Sequence, residues 1–268
     1  QFKKQLLNKS NFNVNKAADN IRVLSAAMVE KAKSGHPGGA MGGADFIHIL
    51  FAEYLNFDPT DMKWQNRDRF FLDPGHMSPM LYSILSLVGT YSMEDLSNFR
   101  QWGSITPGHP ESHITPGVET TTGPLGQGFA HAVGMAMAQA FLSASFNKDN
   151  FKILDHYIYG ICSDGDLMEG VSHEAASLAG HLKLNKLIFF YDNNHISIDG
   201  STSLAFSEDV GKRFEAYGWN VLYIEDGNDV EAIIDSTEKG MLTKSLSRAE
   251  SVTFNYLQNV FSVEFAVL

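Results

Sequence analysis

One cysteine in 268 residues leaves this chain no means of cross-linking itself. A disulfide-stapled secreted scaffold is thereby excluded, and a reducing compartment is expected. That cysteine, Cys162, ends an apolar run, where a thiol serves as a small hydrophobe rather than a nucleophile. Positive charge is also scarce. Twenty Lys and Arg against 31 Asp and Glu give a formal net charge of −11, and no basic run or basic-aromatic interleaving offsets it, so nonspecific nucleic-acid binding is not expected. Long uninterrupted apolar runs are missing too. The longest apolar stretch, 129–146, carries His131, Gln139 and several small residues, and reads as a buried helix with no membrane partner. The opening QFKKQLLNKSNFNVNK lacks an apolar signal region, which points to a cytoplasmic protein. What is plentiful is apolar content, 44%, enough to bury a full core. The expectation is a single α/β domain over 1–268, with a mainly parallel sheet flanked by helices.

The most informative segment runs from Cys162 to Gly200. Residues 156–162 (HYIYGIC) and 186–191 (KLIFFY) are short apolar runs, while 169–182 between them carries apolar residues at helical spacing. The unit reads as strand, helix, strand. In an open α/β sheet such strands are parallel, so Asp164 and Asn194 fall at carboxyl-terminal strand ends, where ligands bind. Either fragment alone is unremarkable, because Asp-Gly marks turns and Asn-Asn is common in loops. Bracketing one such unit, they can face a single cation. A hard Mg²⁺ takes near-octahedral oxygen ligands together with phosphate oxygens, a demand met by an Asp carboxylate, an Asn amide oxygen and one loop carbonyl. Gly165 removes the Cβ that would block a diphosphate, the following helix amino terminus adds amide donors, and the Ser163 hydroxyl is free to bond phosphate.

Elsewhere, helices are predicted over 15–32, 45–55, 77–88, 93–100, 209–217 and 229–239, and strands over 69–72 and 220–224. Residues 103–128 are dense in Gly, Pro and Thr without periodicity, a candidate binding loop. Gly126 and Gly128 open the long helix, and Gly134 within it predicts close packing of helix on sheet. His36 (SGHPGG), His76 (DPGHMS) and His109 (TPGHPE) share a glycine-proline loop context. Loops on a rigid sheet are where catalytic groups sit, and imidazole moves protons near neutral pH. Each could equally be an ordinary surface histidine, and a zinc site is a further alternative that no short His spacing supports.

The wording SDGDLMEGVSHEAASLAGHLKL followed by YDNNHISIDG resembles the thiamine diphosphate family signature, and transketolases specifically, over about 16–239. Ser163 stands where the family usually has Gly, and 240–268 does not resemble the family's continuation. The resemblance implies that Asp164, Asn194 and the Ile196 carbonyl hold Mg²⁺. It also implies that Gly165 contacts the diphosphate, that Gly123 and Leu125 of TTGPLGQG lie against the cofactor rings, and that His36, His76 and His109 line the substrate channel, His76 also touching the cofactor. Glu169 and Glu174 match a carboxylate network at a dimer interface; as plain residues they are favourable charges at a helix start. The implied activity is transfer of a two-carbon ketol unit from a ketose phosphate to an aldose phosphate with thiamine diphosphate and Mg²⁺. This chain would supply half of the site in a homo- or hetero-oligomer, a pyrimidine-binding domain or subunit supplying the rest. Another thiamine diphosphate synthase subunit, or a truncated non-catalytic domain, are the alternatives.

Overall fold

The computed structural model describes residues 11–198, 200–242 and 250–255. The first helix, α1 (Asn11–Ala32), leads to the short α2 (Gly38–Gly42) and α3 (Ala44–Ile49), which runs on as a wider turn through Leu50–Tyr54. Then follow β1 (Arg69–Leu72), α4 (Ser78–Leu87), α5 (Met93–Ser97) and, after a long irregular segment, α6 (Gln127–Phe146). Next come β2 (Ile158–Ser163), the single turn α7 (Asp164–Leu167), α8 (Gly170–Leu182), β3 (Leu187–Asn193) and the small hairpin of β4 (Ile196–Ser197) and β5 (Gly200–Ser201). The chain continues through α9 (Val210–Tyr217), β6 (Asn220–Ile224), α10 (Val230–Leu242) and β7 (Glu250–Asn255). Five strands form one parallel sheet in the order β1-β2-β3-β7-β6. The predicted α/β class holds. Residues 250–255, within a segment without family pattern, run through the middle of the sheet between β3 and β6.

A strand turns successive side chains to opposite faces, and this alternation divides the core. Phe70, Leu72, Tyr159, Ile161, Ile188 and Phe190 face one side, with α1, α3 and α4 packed over them. Phe71, Ile158, Cys162, Leu187, Phe189 and Tyr191 face the other, against α6, α8 and α9. Both faces of the strands are therefore buried, which is why they read as continuous apolar runs. On the second face Phe129 stacks on Phe189 at 4.0 Å. Gly160 makes this possible, since a Cβ there would lie 2.5 Å from the Phe189 ring. Burying one such ring contributes about 1.5–3 kcal/mol.

Two helix expectations are corrected. Helix α6 is buried along one stripe, Gly128, Phe129, Ala132, Val133, Ala136 and Gln139, while Phe141 is 71% and Phe146 56% exposed. By length and composition alone it could cross a membrane, but that stripe packs on the sheet. Gly134 is exposed with nothing within 4 Å of its missing Cβ. The close contact is at Gly128, whose Cβ would meet Asp73 Cα at 2.8 Å.

Candidate functional site

The carboxyl ends of β1, β2 and β3 carry the site. Strand β2 delivers Asp164, 2% exposed. Its Oδ1 accepts a hydrogen bond from the Tyr191 hydroxyl, and its Oδ2 accepts the His195 backbone N–H at 3.0 Å. Both donors are neutral, and no Lys or Arg among the described residues pairs with this carboxylate. Burial raises the Asp164 pKa, opposed chiefly by the Tyr191 bond. Asn194 follows β3. Its Oδ1 accepts the Ile196 N–H at 3.0 Å and its Nδ2 donates to Asp192 Oδ2 at 3.1 Å. His195, at φ 56° in the left-handed region, turns the chain between them. One tight turn thus gathers Asp164, Asn194 and Ile196.

The turn after Asp164 is held from below. Asp166, fully buried, accepts the Ser163 N–H at 2.7 Å and the Ser163 Oγ–H at 2.8 Å. This corrects the expectation for Ser163, whose hydroxyl is committed to capping α7. Helix α8 starts at Gly170, within one residue of the predicted 169, but an additional single turn, α7, lies between Asp164 and it. Asp73, fully buried at the end of β1, accepts the Gly128 N–H at 2.9 Å at the start of α6. Burial and the neighbouring Asp166 push the Asp73 carboxyl well above its ordinary range, and burial raises Asp166 to about 7. A Cβ on Gly165 would meet Leu125 Cδ1 at 3.0 Å, so these two predicted cofactor contacts adjoin.

The three histidines converge. The His36 and His76 rings lie 5.0 Å apart, and a Cβ on Gly123 would meet His109 Cγ at 3.3 Å. Gly123, at φ +147°, lies under the His76 loop so closely that a Cβ on Gly75 would reach its nitrogen at 2.8 Å. Burial, then the His36 and His109 imidazoles, lower the His76 pKa to about 4. Burial and Arg100 lower His36 and His109 as well. Near neutral pH the cluster is uncharged and can both donate and accept. Glu169 and Glu174 are exposed at the start of α8, and a Cβ on Gly126 would meet Glu169 Cβ at 2.8 Å.

Sequence reasoning passed over Tyr191, Asp73, Asp166 and Arg100. Tyr191 was legible, because it alternates with Asn193 along β3. Asp73 and Asp166 lie inside quoted motifs, but their burial depends on the α6 amino terminus, far off in sequence.

Among the described residues no three His, Cys, Asp or Glu side chains cluster as a metal site, so a cation here would rest on one carboxylate and neutral oxygens. A buried carboxylate that no Lys or Arg among the described residues pairs with, beside an amide oxygen at a strand end, fits Mg²⁺ and a diphosphate.

Residues 13–248 match the family described as transketolase, thiamine diphosphate binding domain. The chain is 58% identical over 224 residues to the transketolase of Geobacillus stearothermophilus, covering 83% of this chain and 34% of the relative. It superposes with a TM-score of 0.86 on the transketolase of Leishmania mexicana, at 48% identity over 88% of this chain and 35% of that one. The same score relates it to a Pichia stipitis transketolase solved as a complex with sedoheptulose-7-phosphate, at 49% identity over 88% of this chain and 35% of that one. The chain therefore spans about a third of the length of these relatives. With the signature residues gathered at the strand ends and the family matched over most of its length, the chain belongs to the transketolase thiamine diphosphate-binding domain family.

Proposed function

We propose that this chain supplies the diphosphate-binding half of a transketolase site. The observation that carries the reading is Asp164, a buried carboxylate held by neutral donors within one turn of Asn194 and Ile196. In this reading Asp164, Asn194 and the Ile196 carbonyl hold Mg²⁺, and Gly165 admits the diphosphate. Gly123 and Leu125 lie along the cofactor rings, and Glu169 with Glu174 faces a second subunit. Thiamine diphosphate, when bound, supplies the carbanion chemistry that breaks the C2–C3 bond of a ketose. The neutral imidazoles of His36, His76 and His109 bind sugar hydroxyls and carry protons there, and His76 also contacts the cofactor. Support for sugar phosphates comes from the Pichia stipitis relative and its sedoheptulose-7-phosphate.

The substrates are a ketose phosphate and an aldose phosphate, and the reaction belongs to the interconversion of pentose phosphates in the cytoplasm. A pyrimidine-binding domain or subunit completes the site within a dimer or larger oligomer. The test is to assay ketol transfer by the purified chain alone and after adding a matching pyrimidine-binding region. Turnover is expected only in the mixture. Turnover by the chain alone would refute the half-site reading, and no turnover in any mixture would favour a non-catalytic domain.

A further inference from the structure

Tyr191 carries a hydroxyl that core packing does not require and the proposed function leaves unused. The residue is 3% exposed, within the apolar layer that includes Phe129, Leu187, Phe189 and Trp219. A phenylalanine ring would fill that layer equally well, and a buried hydroxyl costs free energy unless it is bonded. The register of the sheet decides where this hydroxyl goes. Tyr191 pairs with Cys162 across β2 and β3, and the length of the phenol carries its oxygen to the strand ends, where Asp164 and Asn193 each lie two residues further on.

There the hydroxyl donates to Asp164 Oδ1 and lies 3.2 Å from Asn193 Oδ1. It has one proton for two acceptors, and an ionised carboxylate is the stronger of them. The other oxygen, Asp164 Oδ2, accepts the His195 backbone N–H at 3.0 Å. One clamp comes from inside β3 and the other from the turn beyond it. The terminal torsion of an aspartate is otherwise soft, and together the two bonds fix the carboxylate in plane and direction. Each carboxylate oxygen has two lone-pair sites, so one bond to each leaves both able to meet a cation.

We propose that Tyr191 is a positioning residue for the metal, its hydroxyl presetting the Asp164 carboxylate in the direction that a bound Mg²⁺ requires. The inference rests on the metal-diphosphate reading of the site, and its test separates the two. Mg²⁺ demands near-octahedral ligand directions, and outer partners that orient a ligand are worth about 10–100-fold in metal affinity. The hydroxyl is neutral and adds no charge to the site, so its contribution comes through the orientation of Asp164. The test is calorimetric titration of thiamine diphosphate into the wild type and Tyr191→Phe, each with and without Mg²⁺, beside thermal melts of both proteins free of metal and cofactor. Tyr191→Phe keeps the ring and removes the hydroxyl alone. Its Mg²⁺-dependent gain in affinity should be about tenfold smaller than that of the wild type, while affinity without Mg²⁺ stays the same and the melting temperature falls by only about a few degrees.

An undiminished Mg²⁺-dependent gain in Tyr191→Phe overturns the proposal and leaves the metal reading standing. An equal loss of affinity with and without Mg²⁺, or a variant that no longer folds, overturns it too, since the hydroxyl would then serve the fold alone. Should the wild type itself gain nothing from Mg²⁺, the metal reading fails and the role of Tyr191 falls with it.

Discussion

The two ends of the same parallel sheet treat charge in opposite ways. At the amino end charges are paired. Arg67 grips Glu119 through two bonds of 2.8 and 2.6 Å, Lys186 meets Asp155 at 2.8 Å, and the buried Asp68, which accepts the Tyr157 and Asn56 N–H groups, has the Lys186 and Arg69 cations to oppose its burial. At the carboxyl end no Lys or Arg among the described residues pairs with the buried Asp73, Asp164 and Asp166, which accept backbone N–H and hydroxyl groups. A buried charge without a partner is costly. The amino end is organised for stability, and on the proposed reading the carboxyl end gives some of that up to keep oxygens ready for a cation.

The largest expected effect falls on catalysis at the carboxyl end. His109 is exposed, so His109→Asn should lower turnover of the complete enzyme about ten- to hundredfold while its melting temperature stays nearly fixed. Loss of thermal stability with normal turnover would break the contrast. At the amino end the pattern should invert. Arg67→Met leaves Glu119, whose side chain is 13% exposed, with only the longer 3.8 Å contact to Arg69, and should cost about 1–3 kcal/mol in denaturant unfolding without altering Mg²⁺-dependent cofactor binding.

A third effect appears on changing pH. The folded pKa of His76 is lowered to about 4 from 6.5, so between those values the unfolded chain binds more protons than the folded one. The contribution of His76 to stability is present above pH 6.5 and is lost as pH falls toward 4. His76→Gln should therefore flatten the pH dependence of unfolding in that window by up to about 3 kcal/mol. A histidine NMR titration placing His76 near 6.5 would remove the basis for this.

The smallest effect is the most diagnostic for stability. Without Mg²⁺, Asp164→Asn should leave the melting temperature unchanged or raise it by up to about 1 kcal/mol of stability, because it removes a desolvated charge. A clear fall would mean that the carboxylate stabilises the fold by itself.

Much of this was legible in the chain. Strands at 69–72 and 220–224 have the bounds their apolar runs predict, and the Asp164 to Ile196 unit came from motif and period together. What stayed hidden depends on contacts between distant segments. Residues 250–255 become a strand by pairing with β3 and β6. The Ser163 hydroxyl is captured by Asp166 three residues on, in a short turn that the Asp-Gly pair disguised as a loop. Gly134 and Gly128 look alike in sequence, and only the approach of Asp73 decides which one is needed. Arg100 reads as an ordinary helix-end cation until Gly108 and Ser34 are brought against it.

The central claim is that the carboxyl end of the sheet holds a metal-diphosphate pair through Asp164. Calorimetric titration of thiamine diphosphate into the wild type and Asp164→Ala, each with and without Mg²⁺, tests it most directly. The account predicts that Mg²⁺ tightens binding in the wild type, and that Asp164→Ala loses this gain by about a hundredfold in affinity, roughly 3 kcal/mol. An unchanged Mg²⁺-dependent affinity in Asp164→Ala would contradict it.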